Sequence, residues 1–379
     1  MDTILTRGKK IGFARLILGN IAILGLLLIV VEGLASYGLL VHWVLKTSAL
    51  AERRHTIYDP DLGWVNKPSV DIRDMYGPGG YFRTNGQGFR SNHDFSAAVP
   101  VGKTRVICSG DSFTLGFGVD NDHTWCQMLS SLEPRLETVN MGQGGYGVDQ
   151  AYLWYKRDAG KIEHQVHLLA FITHDFHRMQ SDSFGRYAKP VLEMENGALV
   201  VKNVPVPKRN DFLPRFTQHI ENLRHLRTVE FLTRLTRKIG PATPASRQAE
   251  QIARNDKTRE VLHKLFEDLK QINEQRSSQL VLVYLPTIDE LRGGGPLEWT
   301  EFLEAESRVL GIPFLNLFDE FRALRYDEIG RLFIVKGELS YQHAEGHYMV
   351  AGNELVARVL RDKLMNHPVI SRAVSARLR

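Results

Sequence analysis

Hydrophobic positions are distributed very unevenly along this chain. Ile11 to Leu45 is apolar apart from Arg15, Asn20, Glu32, Ser36 and His42. About 20 apolar residues cross a bilayer as a helix, and Leu16 to Leu40 supplies them if Glu32 is paired or lies near the far interface. The run is longer than the core of an ordinary signal peptide and no A-x-A site closes it, so an uncleaved anchor is expected rather than a cleaved leader. Arg7, Lys9 and Lys10 precede the run, while Lys46, Arg53 and Arg54 follow it. The cluster at the start favours a cytoplasmic N-terminus, with the bulk of the chain outside the cytoplasm.

Beyond residue 100 the pattern changes to short apolar runs alternating with longer amphipathic ones. Strands are predicted at Arg105–Ser109, Glu137–Met141, His167–Ile172, Leu280–Leu285 and Pro313–Leu317. Helices are predicted at Thr124–Leu132, Val148–Ala159, Ala249–Gln275, Leu297–Leu310 and Val350–Leu364. This alternation argues for a parallel α/β sheet covered by helices, with chemistry beyond the carboxyl ends of the strands. Residues 51–100 differ, being rich in Gly, Pro, Asn and Asp, and read as a neck and small cap in which Asn85-Gly86 forms a hairpin turn or lies near the cleft. VLEMENGALVVKNVPVP, within Tyr187–Val206, reads as a hairpin joined at Asn196-Gly197. Asp211–Ile239 is an arginine-decorated amphipathic region, read as a lid or cap, with contact to anionic lipid as the alternative. The expected organisation is an anchor at 1–50, a neck at 51–100, an α/β domain at 101–365 with an insertion at about 185–245, and a basic tail at 366–379.

Composition narrows this picture. The 379 residues hold 48 Lys and Arg against 43 Asp and Glu, and no groove-reading motif accompanies the small excess, so no nucleic-acid partner is expected. Cys108 and Cys126 are read as free buried thiols rather than a disulfide. Oligomeric state is not legible.

The candidate chemistry starts in RVICSGDSFTLGFGV, Arg105–Val119, where Ser112 sits at a strand-to-helix corner. Its hydroxyl is lifted off the sheet beside backbone N–H groups that lack carbonyl partners, which suits a nucleophile that generates an oxyanion. A base is offered by EGHYMVAGNELVA, in which Glu345 lies two residues before His347 and is spaced to orient its imidazole. On spacing alone His347 equally reads as a cap of the last helix, and His343 is a rival base. Asp111 reads as a turn and packing residue. His174, Asp175 and His177 invite a metal reading, but neither an H-E-x-x-H pattern nor a cysteine pair supports it, so neither metal nor cofactor is expected.

Four blocks in order resemble the SGNH/GDSL hydrolase superfamily. GDSF at Gly110–Phe113 is similar to the first, with Ser112 at the nucleophile position, and NMGQGG at Asn140–Gly145 to the second, with Gly145 at the oxyanion glycine. AFITHDF at Ala170–Phe176 resembles the third block, with His174 where the family has asparagine. EGHYMVAGNELVA resembles the last, with His347 at the base position and Glu345 close to the acid, where aspartate is commoner. DPDLGW, TNGQGFR and KPVLEMENG…NVPVP resemble membrane-anchored bacterial members, which implies an inner-membrane location with the domain in the periplasm. The resemblance implies a flavodoxin-like three-layer α/β/α fold and a single-pass esterase or acyltransferase acting on an O-acyl ester, such as that of an envelope carbohydrate. Ser112, His347 and Glu345 would then be catalytic, with the oxyanion held by the N–H groups of Ser112 and Gly145 and by His174. The alternative is a non-catalytic, membrane-tethered polysaccharide-binding or assembly protein with a degenerate site.

Overall fold

Short runs of mostly apolar side chains, richest in Val, Ile and Leu at residues 106–107, 166–169 and 280–283, build the centre of the protein. In the computed structural model, which describes residues 2–46, 54–185, 187–207, 226–236, 244–293, 297–339, 341, 344–368 and 371, five of these runs form one parallel sheet. They are β1 (Thr104–Gly110), β2 (Leu136–Gly142), β3 (Val166–Phe171), β4 (Gln279–Tyr284) and β5 (Phe314–Asn316), each within two residues of its sequence expectation at either end. The order across the sheet is β2-β1-β3-β4-β5. Cys108 lies opposite Asn140 on one side, and Ile107 lies opposite His167 on the other. This is the flavodoxin-like order, in which the chain reverses direction across the sheet between β1 and β3.

Alternate side chains of the strands feed two separate cores. Ile107, Val139, Met141, Leu169, Leu280 and Leu282 pack with the helix Val148–Asp158, with Leu262, Leu265, Phe266 and Leu269, and with Trp299 and Leu303. On the opposite face Val106, Cys108, Leu168, Ala170, Val281 and Val283 meet Trp125, Cys126 and Leu129 of the helix Trp125–Leu132, and Val356, Ala357 and Leu360 of the helix Val350–Asn366. Period-2 strands against helices with apolar residues three and four apart give the three layers. Cys108 and Cys126 are free and buried in the second core.

The chain divides into two compact units. One comprises residues 50–208 and 249–379 and contains the sheet. In it the neck forms small antiparallel pairs, Thr56–Asp59 with Gly63–Asn66 and Asp71–Ile72 with Phe82–Arg83. Asn85-Gly86 is not a two-residue hairpin turn: Asn85 Oδ1 accepts from the N–H groups of Gln87 and Phe89, and the left-handed residue is Gly88. An Asx turn has taken over because the asparagine side chain offers the backbone a nearer acceptor than a cross-strand carbonyl. Asn196-Gly197, both at positive φ, does join Val191–Glu195 to Ala198–Lys202 as a hairpin. Thr173–Met179, expected only as a polar cluster, is a short helix, because the Asp175 carboxylate reaches back to the Ile172 N–H.

The other unit comprises residues 1–49 and 209–248. Its long helix, Asp2–Lys46, contains a 27-residue stretch, Arg15–Val41, that is long and apolar enough to cross a membrane. A second helix, Arg227–Thr236, packs against it. Much of the amphipathic region expected at Asp211–Ile239, and the tail beyond Ser371, lie outside the described residues.

Candidate active site

The corner after β1 depends on two glycines. A Cβ on Gly110 would lie 2.3 Å from the Ala170 carbonyl oxygen and 2.4 Å from Thr114 Oγ1. One on Gly142, at the end of β2, would lie 2.1 Å from the Leu115 nitrogen. The short helix Ser112–Leu115 is therefore pressed onto the strand ends at distances that only glycine permits. Asp111 caps this helix, its Oδ1 accepting from the Phe113 N–H at 2.8 Å.

The last helix is preceded by a tight turn in which the His347 N–H donates to the Ala344 carbonyl. That turn brings His347 Nε2 to 2.8 Å from Ser112 Oγ, across 235 residues of chain. On the other side of the ring, Nδ1 lies 3.1 Å from the Ala344 carbonyl oxygen. A carbonyl only accepts, so the proton is assigned to Nδ1 and the Nε2 lone pair faces the serine hydroxyl. Phe113 and Phe117 pack on the imidazole with ring centroids at 4.8 and 4.9 Å. Burial lowers the His347 pKa below its ordinary value, against the opposing pull of the Asp111 charge and the Ala344 carbonyl. The neutral, proton-accepting form is thus the resting form near neutral pH.

Glu345 is exposed, and the group facing Nδ1 is the main-chain carbonyl of Ala344. The spacing that suggested a carboxylate on the imidazole instead forms a turn whose backbone takes that position. The carboxylate beside the pair is Asp111, whose Oδ2 lies 3.2 Å from Ser112 Oγ and 2.9 Å from Arg178 Nη1. Arg178 Nη1 also donates to Asp175 Oδ1 at 2.5 Å and to the Tyr146 carbonyl at 2.8 Å. Burial, and then the Asp111 charge, push the Asp175 carboxyl well above its ordinary range. Sequence reasoning missed this cluster, although Asp175 and Arg178 stand three apart on one helical turn, the spacing of an ion pair.

Two neck residues reinforce the site. Arg90 is fully buried and donates to the carbonyls of Leu115, Gly116 and Val119 at 2.5, 2.6 and 2.5 Å, and to Asn121 Oδ1 at 3.0 Å. It ties down the loop that leaves the Ser112–Leu115 helix. Trp64 Nε1 donates to the Gly144 carbonyl at 2.9 Å, and Tyr146 OH returns a hydrogen bond to the Trp64 carbonyl at 2.5 Å. The glycine-rich loop is held from outside by these contacts. Within it Gly145 has φ +77, and a Cβ there would meet the Phe184 ring at 2.5 Å. Among the described residues, neither the Ser112 nor the Gly145 N–H donates a hydrogen bond.

The structure brings Ser112 and His347 together. It leaves His174 exposed on the Thr173–Met179 helix, with its ring centroid 6.3 Å from that of His177. No hydrogen bond joins His174 to Ser112, Gly145 or His347 among the described residues. The rival base His343 lies outside the described residues.

No protein-family model matches this chain, and no curated protein matches it. Solved structures similar to it include a member of the lipolytic G-D-S-L family from Veillonella parvula, at 14% identity and a TM-score of 0.39, covering 70% of this chain and 100% of that one. An acetyl xylan esterase is similar at 12% identity and a TM-score of 0.39, covering 69% and 99%. A two-domain esterase active on acetylated mannans is similar at 12% identity and a TM-score of 0.38, covering 73% of this chain and 51% of that one. The fold itself stands on the strand order and the two packed faces.

A hydroxyl 2.8 Å from an imidazole nitrogen at the carboxyl end of a parallel sheet can pass its proton to that nitrogen as its oxygen attacks an electrophile.

Proposed function

We propose that this chain is a membrane-anchored serine esterase of the SGNH type, acting in the periplasm on an O-acyl ester of envelope carbohydrate. The observation that carries the reading is the 2.8 Å approach of Ser112 Oγ to His347 Nε2. Ser112 Oγ attacks the ester carbonyl carbon while its proton passes to Nε2. The carbonyl π electrons move to oxygen, and the N–H groups of Ser112 and Gly145 hold the resulting oxyanion. Collapse breaks the bond to the alkoxy oxygen, which leaves as the alcohol with the proton from His347. Water then attacks the acyl-serine, giving its proton to Nε2, and the acid departs as Ser112 is re-protonated. A sugar hydroxyl in place of that water gives an O-acyltransferase by the same steps.

The Ala344 carbonyl and the Asp111 charge take the orienting and charge-balancing parts that a carboxylate on Nδ1 plays in a Ser-His-Asp arrangement. An anchor in the same polypeptide supports a substrate found beside the membrane. The test is covalent labelling of the full chain in detergent with a fluorophosphonate probe. Labelling should occur and disappear in Ser112→Ala, and persistent labelling in that variant would sink the assignment. A panel of acetylated sugars against long-chain esters then reads the substrate class, with turnover expected on the former.

A further inference from the structure

A glutamate in the middle of an apolar anchor needs an explanation, and the structure supplies a partner. Glu32 is buried, and its Oε1 accepts from the Arg227 N–H at 2.5 Å. Its Oε2 accepts from the Thr228 N–H at 2.9 Å and from Thr228 Oγ1 at 2.7 Å. These donors form the N-terminus of the Arg227–Thr236 helix, so one residue of the anchor caps a helix nearly 200 residues away in sequence. An anionic oxygen at that end also meets the positive pole of the helix. In water a serine or aspartate next to the helix would do the same task. In hydrocarbon both partners need each other, because neither a carboxylate nor an unpaired N–H finds water there.

The remaining contacts fix the direction. Glu32, Ala35 and Ser36 are buried on one face of the anchor at i, i+3 and i+4, and small residues there allow close approach of a second helix. A Cβ on Gly38 would lie 3.4 Å from the Phe231 ring. Contact therefore moves from Glu32 and Arg227 to Gly38 and Phe231, so the two helices run in the same direction toward Val41. Ten residues of helix rise about 15 Å, roughly half a bilayer core. Val229, Phe231 and Leu235 are 38%, 40% and 47% exposed, continuing the apolar surface of the anchor, where Leu34 is 67% exposed. The charges at the capped end compensate one another, with Arg227 Nη1 3.0 Å from Glu230 Oε2.

We infer that the Arg227–Thr236 helix is a half-membrane helix, seated on the anchor by Glu32 and presenting Val229, Phe231 and Leu235 to the acyl chains of the bilayer. This rests on the anchor reading, and the experiment separates the two. The full chain, carrying a single added cysteine labelled with an environment-sensitive fluorophore, is reconstituted into phosphatidylcholine–phosphatidylglycerol vesicles containing doxyl-labelled lipid. Leu24→Cys reports the anchor, Val229→Cys and Leu235→Cys the half-helix, and Val309→Cys, on the exposed surface of the sheet-containing unit, the aqueous control. Quenching is expected at 24, 229 and 235, several-fold stronger than at 309. Quenching at 24 without quenching at 229 and 235 overturns the half-helix and leaves the anchor standing. No quenching at 24 overturns the anchor and the inference with it. In Glu32→Leu, quenching at 229 and 235 should fall to the level at 309 while that at 24 and probe labelling of Ser112 persist; unchanged quenching would refute the seat at Glu32.

Discussion

The charge of Asp111 is the feature of the site most open to a quantitative test. Ser112 Oγ lies within hydrogen-bond reach of both Asp111 Oδ2 and His347 Nε2, at 3.2 and 2.8 Å. The carboxylate and the imidazole are therefore no more than about 6 Å apart. When His347 takes the serine proton it becomes an imidazolium, and at an effective dielectric constant of about 20 a unit charge at about 6 Å favours it by roughly 2.8 kcal/mol. Arg178, bonded to the same carboxylate oxygen at 2.9 Å, cancels much of this field. A net of about 1 to 1.5 kcal/mol then remains, or roughly five- to tenfold in rate. Asp111→Asn removes the charge and keeps an oxygen able to accept from the Phe113 N–H, so the helix cap survives. Two changes are expected together in a pH profile of kcat/KM for an acetyl ester. The plateau should fall roughly five- to tenfold, and the acid limb, which reports protonation of His347, should move to lower pH because the Asp111 charge raises that pKa. A fall in plateau with an unmoved acid limb would mean that Asp111 acts only through structure. An acid limb moving to higher pH would refute the electrostatic reasoning.

Other substitutions probe the surroundings. His174→Ala should leave kcat/KM within about threefold, whereas loss of a true oxyanion donor costs about 10²- to 10³-fold; a large loss would bring this exposed ring into the reaction. Arg90→Lys should reduce unfolding free energy by about 3 kcal/mol in urea and slow probe labelling, since an ammonium cannot reproduce the forked contacts to three carbonyls and Asn121. Full stability with full labelling would show that the loop holds itself. His55 and His164 are buried with pKa values lowered to about 3 and about 4, burial being the main cause for each. The unfolded chain binds more protons than the folded one between about pH 6.5 and these folded values, so stability is complete above about pH 6.5, is lost as pH falls from there to the folded values, and levels off below them. Each group should contribute a slope of about 1.4 kcal/mol per pH unit within its window, and His164→Gln should flatten the urea midpoint profile between about pH 6 and 4.

The sheet was legible because its signal is local and repeated. Val106 to Cys108 and Leu280 to Tyr284 are continuous apolar runs, and their shortness, β-branched residues and flanking turns favour strands buried on both faces over helices. The corner that carries Ser112 was legible for the same reason, since strand, glycine, Asp111 and helix start follow one another within a few residues. What escaped was long-range satisfaction of polar groups. Arg90 is one arginine among many in sequence, and only the fold reveals that the loop after Ser112 turns three carbonyls toward it. The sequence called for a partner to Glu32 within the long apolar helix but did not reveal which, and it lies 195 residues onward.

The acid position shows why spacing misleads at a turn. Two residues from Glu345 to His347 is a distance a carboxylate can cross, but it is also the interior of a turn closed by the His347 N–H on the Ala344 carbonyl. In that turn Gly346 adopts a left-handed φ of 82, which turns the chain so that the Glu345 side chain points to solvent while the Ala344 carbonyl comes under the ring. A carbonyl fixes the tautomer as well as a carboxylate does, but it carries no full charge to stabilise the imidazolium. The charge must then come from elsewhere, and the nearest buried carboxylate is Asp111, held beside Ser112 by the helix cap and by Arg178. In the proposed mechanism, orientation and charge, combined in one residue when an aspartate faces the imidazole, are divided between Ala344 and Asp111. Ala344 is buried, and a Cβ built on Gly118 would stand 3.8 Å from its methyl group, so the turn packs directly on the loop that follows Ser112. The division is therefore built into how the turn packs against the nucleophile loop, and a single exchange at Glu345 leaves it intact.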